Sequence, residues 1–340
     1  MWKKNKKRKL IFFKKILYTF SIISIIWLAQ TLLSFSFSEP EKDKIYSKEF
    51  QQNYSIYAIN LPDKLDFAGE TVPLTHFDVY ESLDREFLVN TYWQSQTLLF
   101  IKRSNKYFSI IETILKENGI PDDFKYLALA ESGLTNVISP AGATGFWQFL
   151  KNTGKEYGLE INSEVDERYH LEKSTEAACE YFNEAYRKYK NWTLVAASYN
   201  MGMGGLNKQI KRQTVNNYYD LLLNSETSRY VYRILAIKTI LSDPEKYGFH
   251  FRKKDLYQNI PVKNIEIDSS ITDFADFAIK HGVNYKILKT FNPWLRQNFL
   301  TNKNKKTYFI KIPKEGYRNF KLAFEYNTSD STHIDSIKLQ

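Results

Sequence analysis

The sequence predicts a mainly helical protein that closes with a small β-α-α-β unit and is led by one long apolar span. Three observations predict this class. Apolar residues recur at helical spacing from residue 77 to about residue 241. Strand-like alternation appears only after residue 258. Residues 16–38 run without a single charge. With 340 residues, 43% of them hydrophobic, the chain can bury a sizeable core, and its length favours two modest domains over one.

The leader comes first. Residues 1–15 hold eight of the 48 Lys and Arg and no acid, reading as a cytoplasmic basic segment. With those eight set aside, 40 bases face 38 acids, so the formal +10 is confined to one end. A nearly neutral body argues against a nucleic-acid binder. The run ILYTFSIISIIWLAQTLLSFSFS, Ile16 to Ser38, is long enough to cross a bilayer core as a helix of ~20 residues. It is a transmembrane anchor or a signal sequence. A secretory apolar core is usually ~7–15 residues, so the length favours an uncleaved anchor, with Ser36-Phe37-Ser38 as the cleavage candidate otherwise. Both readings export the rest of the chain, and lysines ahead of the span place the N-terminus in the cytoplasm. Residues 39–65 are polar and charged at first and read as a tether.

The helical part comes next. FDVYESLDREFL and SQTLLFIKRSNKYFSIIETILKENG, within residues 77–119, show helical spacing, with Phe108, Ile111 and Leu115 on one stripe and Gly119 as a stop. Pro121 with Asp122 and Asp123 opens another helix, because proline suits a first turn and acids suit the positive end of the helix dipole. Further helices are expected near 172–189, 191–200 and 226–241, the last closed by Asp243-Pro244 and Tyr247-Gly248. In the final unit, PVKNIEI and TYFIKIP alternate as strands around two short helices, ITDFADFAIKHG and NYKILKTFN. Residues 315–340 form a polar tail.

Cys179 is the sole cysteine, which excludes an internal disulfide and a Cys-based metal site, and its helical spacing reads as packing. No cysteine follows the apolar run, so a lipid anchor there is excluded as well. His76, His170, His250, His281 and His333 are scattered without metal-ligand spacing, and no metal or other cofactor is expected.

The chemistry concentrates in ALAESGLTNVISPAGATGFWQF. In a helix over 122–132, Phe124, Leu127, Ala128 and Glu131 occupy i, i+3, i+4 and i+7, one face. A carboxyl in an apolar stripe loses hydration, so its pKa should rise above the ~4.3 of a free glutamate, as a proton donor near neutral pH requires. The bland alternative is a helix-end glutamate in solvent. The following SPAGATG places small residues where backbone turns tightly or approaches a ligand, and FWQF adds aromatic walls and the Gln148 amide. Together these describe a groove for a polar, flat-faced polymer such as a glycan; the alternative is a structural turn and a core helix start. In ASYNMGMGG, Tyr199 and Asn200 end a helix before a glycine-rich exit, where Asn200 also fits a simple C-terminal cap.

Glu131-Ser132, Ser139-Pro140, Gly142-Ala143-Thr144-Gly145 with Trp147-Gln148, and Tyr199-Asn200 followed by Gly202 resemble the successive motifs of the lytic transglycosylase domain, family 1 type. The longer frame, GIPDDFKYLALAES, VDERYHLEKSTEAA, NWTLVAASYN and ETSRYVYRILAIK, is similar to the membrane-bound lytic transglycosylase D group, and the resemblance covers roughly residues 66–250. It implies a lysozyme-like helical catalytic fold that cleaves the β-1,4 bond between N-acetylmuramic acid and N-acetylglucosamine in peptidoglycan, leaving a 1,6-anhydromuramoyl end. It implies Glu131 as catalytic acid and base, Ser139, Gln148, Tyr199 and Asn200 lining the saccharide groove, Gly145 and Phe149 as adjacent groove positions, and Tyr230 as a wall. Many members have a glutamate where this chain has Met203. The C-terminal unit, residues 258–314, resembles a divergent LysM module, with Asn292-Pro293-Trp294 its most family-like part; a packing domain that binds no glycan is the alternative. The implied setting is a bacterial cell envelope, with the enzyme anchored in the inner membrane and its catalytic domain in the periplasm, or exported after signal cleavage.

Hydrolytic glycosidases usually set two carboxylates across the bond, ~5–5.5 Å apart for retention or ~6.5–9.5 Å for inversion. No second acid accompanies these motifs: Asp122 and Asp123 read as dipole partners, and Glu156 and Glu160 as surface residues. A single group suffices if the sugar's own C6 hydroxyl attacks the anomeric carbon. A hydrolytic muramidase on the same fold and an inactive peptidoglycan-binding protein are the competing readings.

Overall fold

The computed structural model describes residues 57–319 and four residues between 44 and 48. The basic segment 1–15, the apolar span 16–38, most of the tether and the tail from residue 320 lie outside the described residues. Among the described residues, no helix is long and apolar enough to cross a membrane. From Ile59 the described residues form one compact unit.

A two-residue hairpin, β1 (Asp66–Phe67) and β2 (Glu70–Thr71), opens this unit. Ala68 and Gly69 turn it with positive φ of 52° and 80°, the mirror-image turn whose twist suits a hairpin. It is too short to show alternation, so the sequence pattern passes over it.

The helices are α1 (Phe77–Tyr92), α2 (Gln94–Glu117), α3 (Phe124–Ser132), α4 (Lys151–Glu156), α5 (Leu171–Tyr189), α6 (Trp192–Met201), α7 (Met203–Gln213) and α8 (Thr227–Ser242). The expected helices at 77–119, 172–189, 191–200 and 226–241 are all present within a few residues. Helix α3 starts at Phe124, later than Pro121, because the chain first makes a tight turn in which the Phe124 and Lys125 N–H groups bond the Pro121 and Asp122 carbonyls at 3.1 and 3.0 Å; Asp123 has a further role. Its carboxylate accepts from the Ala68 N–H at 2.6 Å and from Lys238 at 2.7 Å, so it ties hairpin to helix rather than serving only the dipole. Helix α4 carries a glycine and polar residues in place of a clear apolar stripe, and α7, which packs Met203, Leu206 and Ile210 on the core, is masked at its start by Gly204 and Gly205.

The hairpin also reaches α6. The Glu70 carboxylate accepts from the backbone N–H groups of Trp192 and Thr193 at 2.5 and 2.9 Å and from the Thr193 hydroxyl at 2.6 Å, satisfying donors that a helix start leaves unpaired. Helix α3 packs between α2 and α8, while α6 packs against α5, α7 and α8. The core is aromatic: Phe124 meets Phe67, Phe182 and Trp192 with ring centroids 5.3, 4.5 and 5.3 Å apart. Cys179 is buried within it, as packing requires.

The C-terminal unit has the expected β-α-α-β order: β3 (Val262–Ile267), α9 (Phe274–Lys280), α10 (Tyr285–Phe291) and β4 (Tyr308–Pro313), the strands antiparallel from Val262↔Pro313 to Ile267↔Tyr308. Phe274, Leu288, Trp294, Ile310 and Ile312 form its core. Val165 and Tyr169, from the segment before α5, complete that same cluster, so the two parts share apolar packing. Glu160, expected at the surface, accepts from Lys306 and from the Tyr308 hydroxyl and therefore belongs to the seam.

Candidate active site

Phe124, Leu127 and Ala128 are fully buried, and Glu131 lies on the same face one turn further on, where α3 ends. Gly133, at φ +60°, terminates the helix, its N–H bonded to the Leu129 carbonyl at 2.8 Å. Glu131 is partly buried. Burial pushes its carboxyl from 4.5 up to about 7, outweighing the hydroxyl of Tyr230, which donates to Oε1, and the positive charge of Arg233; Glu226 nearby pushes in the same direction as burial. The expected direction of shift is therefore met.

Tyr230 differs from expectation. It is 2% exposed and its hydroxyl bonds Glu131, so it is the partner of the Glu131 carboxyl and not a wall. The phenol satisfies its own polar end by donating to the Glu131 carboxyl.

The expected aromatic walls are corrected as well. Phe146, Trp147 and Phe149 are 4%, 0% and 3% exposed, because side chains with this much apolar area are held in the core. Phe149 packs on Tyr157 and Tyr199, and Trp147 donates its indole N–H to the Thr175 hydroxyl at 2.8 Å. The large apolar side chains exposed along this part of the chain are Val137, Ile138 and Leu150.

The loop from Ser139 to Phe149 is built by its own polar groups. Ser139 Oγ accepts from the Ala143 N–H at 3.1 Å, and the Ser139 N–H donates to the Ala143 carbonyl at 2.8 Å. Gly145 sits at φ +84°, where a Cβ would lie 1.9 Å from the Arg168 carbonyl oxygen; only glycine fits this approach. Gln148 also has a left-handed backbone, φ +50°, and its amide donates to the carbonyls of Val137 and Gly145 at 3.1 and 2.7 Å. The NH₂ end of that side chain is thus committed to holding the loop. Ser132, next to Glu131, donates to the Phe146 carbonyl at 2.8 Å and joins α3 to the loop.

Tyr199 donates its hydroxyl to the Trp147 carbonyl at 2.7 Å, and burial together with the Glu131 charge holds its phenol far above the usual range. Asn200 does not cap its helix, which runs to Met201. Its Nδ2 donates to Glu226 at 3.0 Å and its Oδ1 accepts from Thr227 at 2.7 Å. The structure thus brings Glu131, Tyr199, Tyr230 and, through Glu226, Asn200 into one neighbourhood. Ser139, Gly145, Gln148 and Phe149 belong to the loop tied to it by Ser132.

Glu226, at the N-cap of α8, and Arg233 were missed by motif reasoning. Glu226, Tyr230 and Arg233 stand at i, i+4 and i+7 and all act on Glu131, so Glu226 is the second carboxylate that counting along the motifs did not find. The spacing in ETSRYVYR was the available signal. On the far side, Glu86 of α1, 1% exposed, pairs with Arg229 at 2.7 Å and Arg233 at 3.9 Å. Asp166 and Arg168 were also missed: the guanidinium meets the Asp166 carboxylate at 2.9 and 2.7 Å and donates to the carbonyls of Gly142 and Phe149 at 3.1 and 3.2 Å. Among the described residues, no three His, Cys, Asp or Glu side chains gather where they could hold a metal ion.

Residues 108–221 match the model of the Transglycosylase SLT domain, and residues 263–316 match that of the Soluble lytic transglycosylase C-terminal LysM-like domain. Two curated proteins named membrane-bound lytic murein transglycosylase D, from Escherichia coli strain K12 and Escherichia coli O6:H1, are each 28% identical over 219 residues, 63% of this chain and 47% of theirs. The chain thus spans about half the length of the curated relatives it matches. With Glu131 inside the first match and the β-α-α-β unit coinciding with the second, the chain carries an SLT-type transglycosylase domain followed by a LysM-like domain.

Proposed function

We propose that this chain is a peptidoglycan lytic transglycosylase in which Glu131 is first the acid and then the base. One observation carries the reading: a partly buried carboxyl pushed up to about 7, held by Tyr230, inside the SLT-type domain. Because Tyr230 donates to Oε1, that oxygen takes the carbonyl role and the proton resides on Oε2. The proton passes to the oxygen bridging N-acetylmuramic acid and N-acetylglucosamine as the bond from the anomeric carbon to that oxygen breaks. The ionised Glu131, now stabilised by Tyr230 and Arg233, takes the proton from the muramoyl C6 hydroxyl, whose oxygen bonds the anomeric carbon. Glu131 returns to its starting form, the product carries a 1,6-anhydro ring, and water is not consumed.

Ser139, Gln148, Tyr199 and Asn200 shape the wall along which the glycan lies, with Gly145 and Phe149 setting the backbone beneath it. The partner is the glycan strand of peptidoglycan, the setting the cell envelope, and the anchor the N-terminal apolar span. The LysM-like domain holds N-acetylglucosamine units of the same strand, as its resemblance to LysM modules implies.

Glu226 supports a second reading, hydrolysis by a muramidase of the same architecture, since a second carboxylate stands near Glu131. The first reading is favoured because Glu226 is engaged by Asn200. Mass spectrometry of fragments released from purified sacculi separates them: anhydromuramoyl ends support transglycosylation, and reducing muramic ends overturn it. Equal release by Glu131→Gln would remove Glu131 from the chemistry and leave an inactive peptidoglycan-binding role for that site.

A further inference from the structure

The seam between the two domains is built almost entirely on residues 160–172, and the same segment supports the loop beside Glu131. On the seam side, the Asp166 N–H donates to the Trp294 carbonyl at 2.9 Å, Val165 bridges Leu295, and the Glu164 carbonyl accepts from the Arg296 N–H at 2.7 Å. The Glu164 carboxylate accepts from the Thr301 N–H at 2.6 Å. The Arg296 guanidinium lies 4.2 Å from the centre of the Tyr169 ring, the Trp294 ring packs 5.6 Å from His170, and Lys311 pairs with Glu172. On the site side, the Asp166 carboxylate holds the Arg168 guanidinium, whose remaining Nη1 donates to the carbonyls of Gly142 and Phe149. Gly145 rests on the Arg168 backbone carbonyl.

Asp166, Glu167 and Arg168 are all buried, 7%, 3% and 9% exposed. A buried guanidinium with its hydrogen bonds made on a rigid fork permits one placement of the carbonyls it touches. One face of a short segment is therefore fixed by the LysM-like domain while the other face fixes the loop. We propose that the LysM-like domain is a brace for the loop from Ser139 to Phe149, with Arg168 as the positioning residue that transmits its docking to the site. The loop's 3.1 and 3.2 Å contacts to Arg168 do not involve Glu131, yet a displacement there moves Ser132 and with it the end of α3. The catalytic consequence rests on Glu131 acting as the acid; the mechanical one does not.

The test uses the full chain. Arg296→Ala combined with Lys311→Met removes two side-chain contacts of the seam and leaves the cores of both domains alone. Hydrogen–deuterium exchange is read on peptides covering 139–149, with peptides of α1 and α8 as reference. The expected result is exchange in the loop faster by on the order of tenfold, as for about one hydrogen bond's worth of protection, with the reference peptides unchanged. On soluble peptidoglycan strands, kcat is expected to fall by 10- to 100-fold, an order of magnitude set by small misplacements of catalytic groups, while KM stays within a few fold. Arg168→Gln should reproduce both effects and Arg168→Lys, which can still donate to one carbonyl, should recover part of the loss. Unchanged loop exchange in a double variant whose seam peptides exchange faster overturns the brace, as does a loosened loop with unaltered kcat. A Glu131→Gln chain that remained active would refute the reading of the acid, while the exchange comparison would still decide the brace.

Discussion

Substituting Glu131 by glutamine should make the protein more stable at high pH but not at low pH. Glutamine keeps the shape and can accept the Tyr230 hydrogen bond, but it cannot ionise. In the native chain the carboxyl is raised from 4.5 to about 7 by burial. Between those values the folded chain retains a proton that the unfolded chain has released, so the stability present below about 4.5 is lost as pH rises through about 7. At about 1.4 kcal/mol for each pH unit of separation, the loss approaches about 3 kcal/mol. The variant escapes it. Urea unfolding followed by tryptophan fluorescence, on both chains at pH 4 and pH 8, should show a stability difference that grows by about 3 kcal/mol in favour of the variant as pH increases. The other groups titrate alike in both chains and cancel. A difference that stays constant with pH, or grows in the opposite direction, would show that Glu131 ionises in the folded state as it does in the unfolded one, and the proton-donor argument would fail with it.

Three further outcomes are expected from the site. Tyr230→Phe removes a hydrogen bond that stabilises the ionised Glu131, so the basic limb of the turnover–pH profile should move up by on the order of one unit, since bonds to charged groups contribute about 1.5–3 kcal/mol; a downward move would contradict the assignment. Gly145→Ala forces a Cβ to within 1.9 Å of the Arg168 carbonyl at φ +84°, so thermal unfolding should reveal a loss of about 3 kcal/mol or more. Glu86→Gln leaves Arg229 and Arg233 without their buried counter-charge; because both arginines keep contact with solvent, denaturant unfolding should register about 2 kcal/mol, below the range for a fully buried pair.

The order of the helices and the β-α-α-β unit were legible because each depends on local periodicity, which a chain displays whether or not it is folded. The carboxyl in the apolar stripe was legible for the same reason: Phe124, Leu127, Ala128 and Glu131 share a face by spacing alone. Tyr230 could be placed on its helix but not aimed, since its hydroxyl reaches Glu131 across 99 residues of sequence. The aromatic residues of FWQF were misread as walls because an exposed ring and a buried ring look alike in a sequence, and only the packing of Tyr157, Tyr199 and Phe182 around them decides. Arg168 was invisible because the loop groups it holds are the backbone carbonyls of Gly142 and Phe149, which carry no residue-type signature, and Asp166 because, among the described residues, its carboxylate serves Arg168 alone.

The little hairpin at Asp66–Thr71 sets where this chain can be trimmed. Its Glu70 oxygens seat the opening amides of α6, while its turn amide is gripped by Asp123 at the head of α3. The helices bearing Glu131 and Asn200 are in this way indexed to each other by six residues lying well upstream of residue 108, where the family match starts. A fragment cut at 108 and 221 would look complete on paper and yet would sever that index, along with the helix that supplies Tyr230. The smallest piece worth purifying begins ahead of Asp66.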